Sequence, residues 1–326
     1  MLDIDYSRRA FPFLPHLKDG VSWRKLMKGL FSVNGEITDP QIAKISPLDR
    51  GFLLGDSIFE VFVSFGNKII DLDPHLHRLR QSAEMAGIPV PWPDEVLEFE
   101  INTLLEATNY LKTYIRLVIT RGEGIGLKYP EQIKPNRIIY CFPAKTEAHT
   151  TYTEGLNLKH VSLDYTNRGA YPKTSNYLSS IKALARVGRE GYDDVLWSNS
   201  NGEITEATTS NIFLIGRDGD LVEIATPPAR SGLLLGITRR RVIELLERSQ
   251  IKVTERIIYR DEIPRFDEGL LCSTVRGLTP IRSIDNHKFH TLRPNSIFLL
   301  INRLFRAWTA SEVGHFIDWN TGEPTA

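Results

Sequence analysis

The chain has 326 residues, 41% of them hydrophobic and 25% charged, with 40 Lys plus Arg against 40 Asp plus Glu. That length allows two domains of ordinary size with separate cores, and the charge balance excludes the bias expected of a nucleic-acid or membrane-surface binder. No run approaches the roughly 18 uninterrupted apolar residues of a membrane span; Cys141 and Cys272 lie in apolar runs without metal or redox spacing and read as reduced core thiols of a cytoplasmic protein that holds no metal.

Residues 1–30 show no sustained period and contain Pro12 and Pro15, so they read as an arm packed on a domain. A small α+β domain is expected over 31–145. Its first part, "LFSVNGEIT" and "FEVFVSFGNKIIDL", places Asn34-Gly35 and Gly66-Asn67 between apolar runs, which predicts two adjacent antiparallel hairpins. A helix should begin near Asp73-Pro74 with Leu76, Leu79, Ala83 and Ala86 on one face, and another should follow Pro93-Asp94. The strands "YIRLVITRG" and "RIIYCFP" complete the unit, and the polar stretch "AKTEAHTTYTEG" marks the interdomain boundary.

The larger domain is expected over 154–326. "NLKHVSL" opens it, a helix runs from about Ser175 to Glu190, and "DVLWSNSNGEITEATTSNIFLI" forms a hairpin about Asn201-Gly202. "GITRRRVIELLERSQI" predicts an amphipathic helix with Val242, Leu245 and Leu246 inward, and "EGLLCSTVRGLTPIRSID" two short strands about a glycine-rich joint. There is no internal repeat.

Singly, the chemical candidates have plain explanations: Lys173 in "YPKTSNYL" as a solvated lysine, Arg78 in "HLHRL" as a helix-surface cation, Glu206 as a turn carboxylate, Thr238 as a helix cap. Together they supply what a phosphorylated pyridine aldehyde needs: an amine for an imine, a carboxylate for the ring nitrogen, and phosphate donors at a helix N-terminus. Lys173 would form the Schiff base and shuttle a proton. Glu206 would keep the ring nitrogen protonated. The backbone N–H groups of Ile237 and Thr238, with Arg78, would face the phosphate.

From about Val33 to Ile284 the chain resembles the fold-type IV enzymes that use pyridoxal 5'-phosphate (PLP), the class IV aminotransferases. The resemblance is carried, in order, by "LDRGFLLGDSIFEVF", "HLHRL", "YIRLVITRG", "KTSNYLSSIKA", "GEITEATTSNIF", "GITR" and "CSTVRGLTPI". It implies an α+β fold of two domains, a small N-terminal one and a larger barrel-like C-terminal one, in a homodimer. It also implies Lys173 as the Schiff-base lysine, Tyr177 on the cofactor's phenolic oxygen, Glu206 on the pyridine nitrogen, and Arg78, Ile237, Thr238 and the Thr274 hydroxyl on the phosphate.

"YIR" at Tyr114–Arg116 and Phe59 resemble the branched-chain amino acid aminotransferases and place those residues near the substrate. Val61 and "EATTSN" depart from that subfamily's pattern; Val61 resembles the D-amino acid enzymes, whose Arg-x-His clamp is replaced by "EGIGLKYP". The expected activity is transfer of an amino group from a branched-chain-like amino acid or an amine to a 2-oxo acid by a ping-pong mechanism. The alternatives are an aminodeoxychorismate-lyase-type reaction, or D-amino acid or (R)-amine transamination. In "CSTVRGLTPI" the backbone at Thr274 and Val275 is expected to face the substrate carboxylate. Arg276 either points outward to a surface carboxylate or inward, where its planar fork would clamp the substrate carboxylate.

Overall fold

A computed structural model of the protein describes residues 29–38, 42–163, 171–219 and 221–325. The arm expected over 1–30 lies outside the described residues except for its last two. The chain divides into two compact units, one running to Lys145 and taking in Pro172–Ser175, the other formed by Thr146–Tyr171 and Asn176–Ala326.

The first unit contains β1 (Leu30–Val33), β2 (Glu36–Thr38), α1 (Arg50–Leu54), β3 (Ser57–Phe65), β4 (Lys68–Ile69), α2 (Leu72–Ala86), α3 (Asp94–Thr108), β5 (Lys112–Thr120) and β6 (Asn136–Pro143). Asn34 and Gly35 turn the first hairpin with φ of 53° and 93°, the left-handed pair that a two-residue hairpin turn requires. The strand order is β2-β1-β6-β5-β3-β4, so the two hairpins are not neighbours but occupy opposite edges. The long strands β3, β5 and β6 hold the centre, where they bury most area, and the two- and three-residue strands form short edges.

Alternation sorts the central strands into two faces. Ile58 and Phe62 of β3, Ile115, Leu117 and Ile119 of β5, and Ile139 and Cys141 of β6 pack in one core with Leu76 and Leu79 of α2 and Leu97, Ile101, Leu104 and Leu105 of α3. At about 25 cal/mol per Å² of apolar surface, each large side chain in that layer contributes roughly 1.5–3 kcal/mol. The opposite face is left to the functional side chains.

In the second unit follow α4 (His149–Thr153), β7 (Leu156–Ser162), α5 (Leu178–Arg189), β8 (Asp194–Ser198), β9 (Ile204–Ala207), β10 (Asn211–Asp218), β11 (Leu221–Thr226), α6 (Ile237–Arg248), β12 (Val253–Glu255), β13 (Glu268–Ser273), β14 (Gly277–Ile284), β15 (His287–Lys288) and α7 (Ile297–Val313). Eight strands run in the order β12-β11-β10-β13-β14-β7-β8-β9, and β15 pairs with β14. Alternation again divides the residues: Ile212 and Leu214 join one core with Leu271 and Ile281. Phe213 and Ile215 join another with Val242 and Leu246 of α6 and Phe298, Ile301 and Phe305 of α7. The architecture is α+β with a strongly curled, half-barrel sheet.

Both thiols are buried, and burial above all pushes Cys141 and Cys272 up to about 12. Among the described residues no helix is long and apolar enough to cross a membrane, and no group of three or more His, Cys, Asp or Glu is placed to hold a metal ion.

Candidate active site

In the first unit the face of the sheet opposite the helices carries a cleft of about 530 Å³, lined among others by Tyr114, Arg116, Val118, Ile138, Tyr140 and Phe142. Antiparallel register brings these together: Arg116 stands opposite Tyr140, and Tyr114 opposite Phe142. Burial pushes the Tyr140 phenol up, against the opposing pull of the Arg116 charge. Ser175, from the short segment that returns to this unit, also lines the cleft.

That segment carries Lys173. It is laid along the start of β3: Phe59 N donates to Lys173 O at 2.9 Å, Ser175 N to Ser57 O at 3.4 Å, and Lys173 N to Ser82 Oγ at 3.1 Å. The lysine backbone is thus held along β3 through an isolated bridge of Thr174 to Ile58, and the residue is half-buried rather than solvated at a helix start. Its Nζ lies 4.7 Å from the centre of the Phe59 ring, and the Arg116 guanidinium carbon lies 3.8 Å from the same ring. Phe59, Arg116 and Lys173 therefore form one cluster around a buried aromatic wall, with contacts of cation–π type.

Arg78 is a buried residue of α2, 8% exposed. Its Nε and Nη2 each donate at 2.7 Å to the two oxygens of Glu60, and His75 Nδ1 lies 2.8 Å from the second oxygen. The carboxylate can only accept, so Nδ1 carries the proton. Burial opposes the charge on Glu60, yet Arg78 and the His75 hydrogen bond outweigh it and hold the carboxyl at about 2. Burial above all lowers the His75 value, against the opposing pull of Glu60. Glu60 aims the guanidinium through a two-pronged bond.

In the second unit Glu206, near the end of β9, accepts from the hydroxyl of Tyr171 and from Asn211 Nδ2 at 3.0 Å. Asn211 Nδ2 also donates at 2.9 Å to Leu234 O, tying the carboxylate to the loop that enters α6. A Cβ built on Gly236 would meet Asn211 Oδ1 at 1.9 Å, so only glycine admits this approach. Gly236 is the N-cap of α6 and offers no side chain to the first-turn N–H groups, where Ile237 and Thr238 are buried. Tyr177 sits at the N-terminal end of α5. Thr274, Val275 and Arg276 form the turn between β13 and β14, each half-buried. The Arg276 Nη2 donates to Asp194 Oδ2 at 3.2 Å, and Asp194 is a buried carboxylate rather than a surface one.

Residues 57–284 match the family model for class IV aminotransferases. The chain is 29% identical over 279 residues to a putative branched-chain-amino-acid aminotransferase of Methanocaldococcus jannaschii, covering 84% of this chain and 94% of the relative. It is 29% identical over 262 residues to the branched-chain-amino-acid aminotransferase of Escherichia coli K12, covering 77% and 84%. The crystal structure of an E. coli branched-chain amino acid aminotransferase superposes with a TM-score of 0.79 at 26% identity, covering 89% of this chain and 96% of that one. The chain belongs to the class IV aminotransferases.

As a class IV aminotransferase it is a PLP-dependent transaminase with the fold-type IV architecture expected from its motifs. The residues present fit the cofactor. A carboxylate fastened by a phenol and an amide suits a protonated ring nitrogen, and an uncapped start of a twelve-residue helix suits a phosphate. Three residues of this aminotransferase escape a reading of sequence alone. Tyr140 is visible only once the register of β6 on β5 is known; Asn211, the last residue of "EATTSN", and Tyr171 gain meaning only from their contacts with Glu206.

Proposed function

We propose that this transaminase moves the amino group of a branched-chain-like amino acid to a 2-oxo acid, with Lys173 carrying the cofactor. The observation that supports this most is the Phe59 wall shared by Lys173 and Arg116, beside a cleft lined by Val118, Ile138 and Phe142. An apolar side chain suits such a wall, and a single guanidinium within it can take the second carboxylate of an acidic partner.

PLP, when bound, supplies an aldehyde for amino exchange and an electron-accepting ring. The Lys173 Nζ moves the proton at the substrate Cα. Glu206 holds a proton at the ring nitrogen, steadied by Tyr171 and Asn211. Tyr177 would donate to the phenolic oxygen; Ile237 N, Thr238 N and Thr274 Oγ1 in the second unit, and Arg78 in the first, would serve the phosphate. Phe59, Tyr114, Arg116 and the backbone at Val275 orient the substrate. We further propose a homodimer, supported by the outward Phe52, Ile125 and Leu127, which are 75%, 83% and 84% exposed in the single chain.

A donor screen tests the reading. L-leucine, L-valine, D-alanine and (R)-1-phenylethylamine are each offered with 2-oxoglutarate, following bleaching of the yellow holoenzyme in the first half-reaction. Bleaching fastest with L-leucine or L-valine is expected. A preference for either of the other two, or turnover of an aminated chorismate without any 2-oxo acid, would replace the reading.

A further inference from the structure

Resting on the assignment of Glu206 and Thr274 to the cofactor, we propose that Arg276 is a positioning residue: its pairing with buried Asp194 fastens the turn after Glu206 to the turn carrying Thr274. Asp194 opens β8, and its side chain is 3% exposed. Its Oδ1 accepts from Thr208 Oγ1 at 2.6 Å and from Val195 N at 2.8 Å, while Oδ2 accepts from Arg276 Nη2 at 3.2 Å. The same Nη2 lies 3.1 Å from Thr209 Oγ1 and 3.2 Å from Ser210 Oγ.

The three hydroxyls of Thr208, Thr209 and Ser210 thus converge on one ion pair. With Ala207 they span the interval between Glu206 and Asn211, the carboxylate and the amide that holds it. On the other side the 274–277 turn is fastened through its backbone. Tyr152 OH donates to Arg276 O at 3.1 Å and Trp319 Nε1 to Val275 O at 3.0 Å. Gly277, at φ 65°, faces the Trp319 indole so closely that a Cβ would meet its Nε1 at 2.8 Å. The Arg276 side chain is a polar tie from this turn to the Thr208–Ser210 turn.

A buried carboxylate whose cation is removed is left uncompensated, so the loss of Arg276 must rearrange Asp194 and, with it, Thr208. A guanidinium already shared among three acceptors is poorly placed to clamp the substrate carboxylate. The two roles differ in what they disturb: positioning acts on both turns and on the cofactor groups they carry, whereas a direct clamp on the substrate carboxylate raises KM and leaves the turns and PLP affinity as they are.

Arg276→Ala, Asp194→Asn and the double variant are compared with wild-type holoenzyme by amide hydrogen exchange. PLP affinity of the apoenzyme and KM for 2-oxoglutarate and 4-methyl-2-oxopentanoate are measured alongside. Exchange in peptides spanning 205–212 and 272–279 is expected to rise about tenfold in each variant. PLP affinity is expected to weaken about 5- to 20-fold, with KM for the two acceptors rising by a common factor and the double variant no worse than the worse single one. Arg276→Lys, which keeps a cation for Asp194, should recover much of the protection. Unchanged exchange in the 205–212 peptide, or a KM rise with PLP affinity unchanged, overturns the proposal. Should Arg276→Ala fail to fold, Thr209→Val is read instead, and no change in the 272–279 peptide has the same consequence. The exchange coupling is a property of the protein whatever it binds, so it stands or falls separately from the cofactor assignment, which is tested at Glu206.

Discussion

The two units place their functional groups by different means. In the first, Tyr114, Arg116 and Tyr140 stand on neighbouring strands, and their common face follows from period-two alternation and register. In the second, the proposed cofactor groups lie near a strand end, at a helix start and in a turn: Glu206, Ile237–Thr238 and Thr274–Val275. Such positions lie at or beyond the end of a regular element, where the element's geometry holds a side chain less firmly, so other side chains help, and Tyr171, Asn211 and the Asp194–Arg276 pair make those contacts. A strand-borne site can exchange its wall residues within a fixed frame; a turn-borne site depends on its fastenings.

The contrast breaks first at Lys173, the strand-like residue given a covalent role. Lys173→Ala is expected to abolish turnover, and borohydride reduction of the holoenzyme followed by peptide mapping should place the cofactor mass on the peptide containing Lys173. A label on Lys159 or Lys182 would remove Lys173 from the mechanism.

Next in size is the buried cluster beneath the first unit's sheet. Glu60→Ala leaves Arg78 without its carboxylate, and a loss of about 3–5 kcal/mol in stability is expected by chemical denaturation. Because the Glu60 carboxyl is held at about 2, below its ordinary 4.5, its stabilisation is complete above pH 4.5 and is lost as pH falls through 2. The span is worth on the order of 3 kcal/mol. Wild-type and Glu60→Gln proteins whose stabilities fall in parallel between pH 5 and pH 2.5 would show that the pair does not act this way.

The smallest effect is expected where a group at a strand end acts by charge alone. Glu206→Gln should fold, bind PLP and lose about 10²- to 10³-fold in activity, since a neutral amide no longer holds the ring nitrogen protonated. Steady-state kinetics beside a PLP titration check this; near-normal rates would take Glu206 out of the site and weaken the distinction between the units.

Much of this was legible before any coordinates. Asn34-Gly35 marks its hairpin because only a left-handed pair closes a two-residue turn, and the helices over Leu72–Ala86 and Asp94–Thr108 follow from apolar spacing and the Pro and Asp residues at their starts. The sequence by itself determined the family, through motifs in a fixed order, and the residue types that the cofactor's chemistry demands. Tertiary structure alone decided partners. Arg78 and Arg276 both present a planar cation that a sequence reading can hand to any anion. One meets Glu60 with two prongs across a helix–sheet contact, and the other meets Asp194 and two hydroxyls from a distant turn. Strand order was equally hidden, since hairpins adjacent in the chain went to opposite edges of the sheet. The reason is physical: local turn and period signals act over a few residues, whereas the pairing of a buried charge is set by whichever acceptor the packed core brings within about 3 Å.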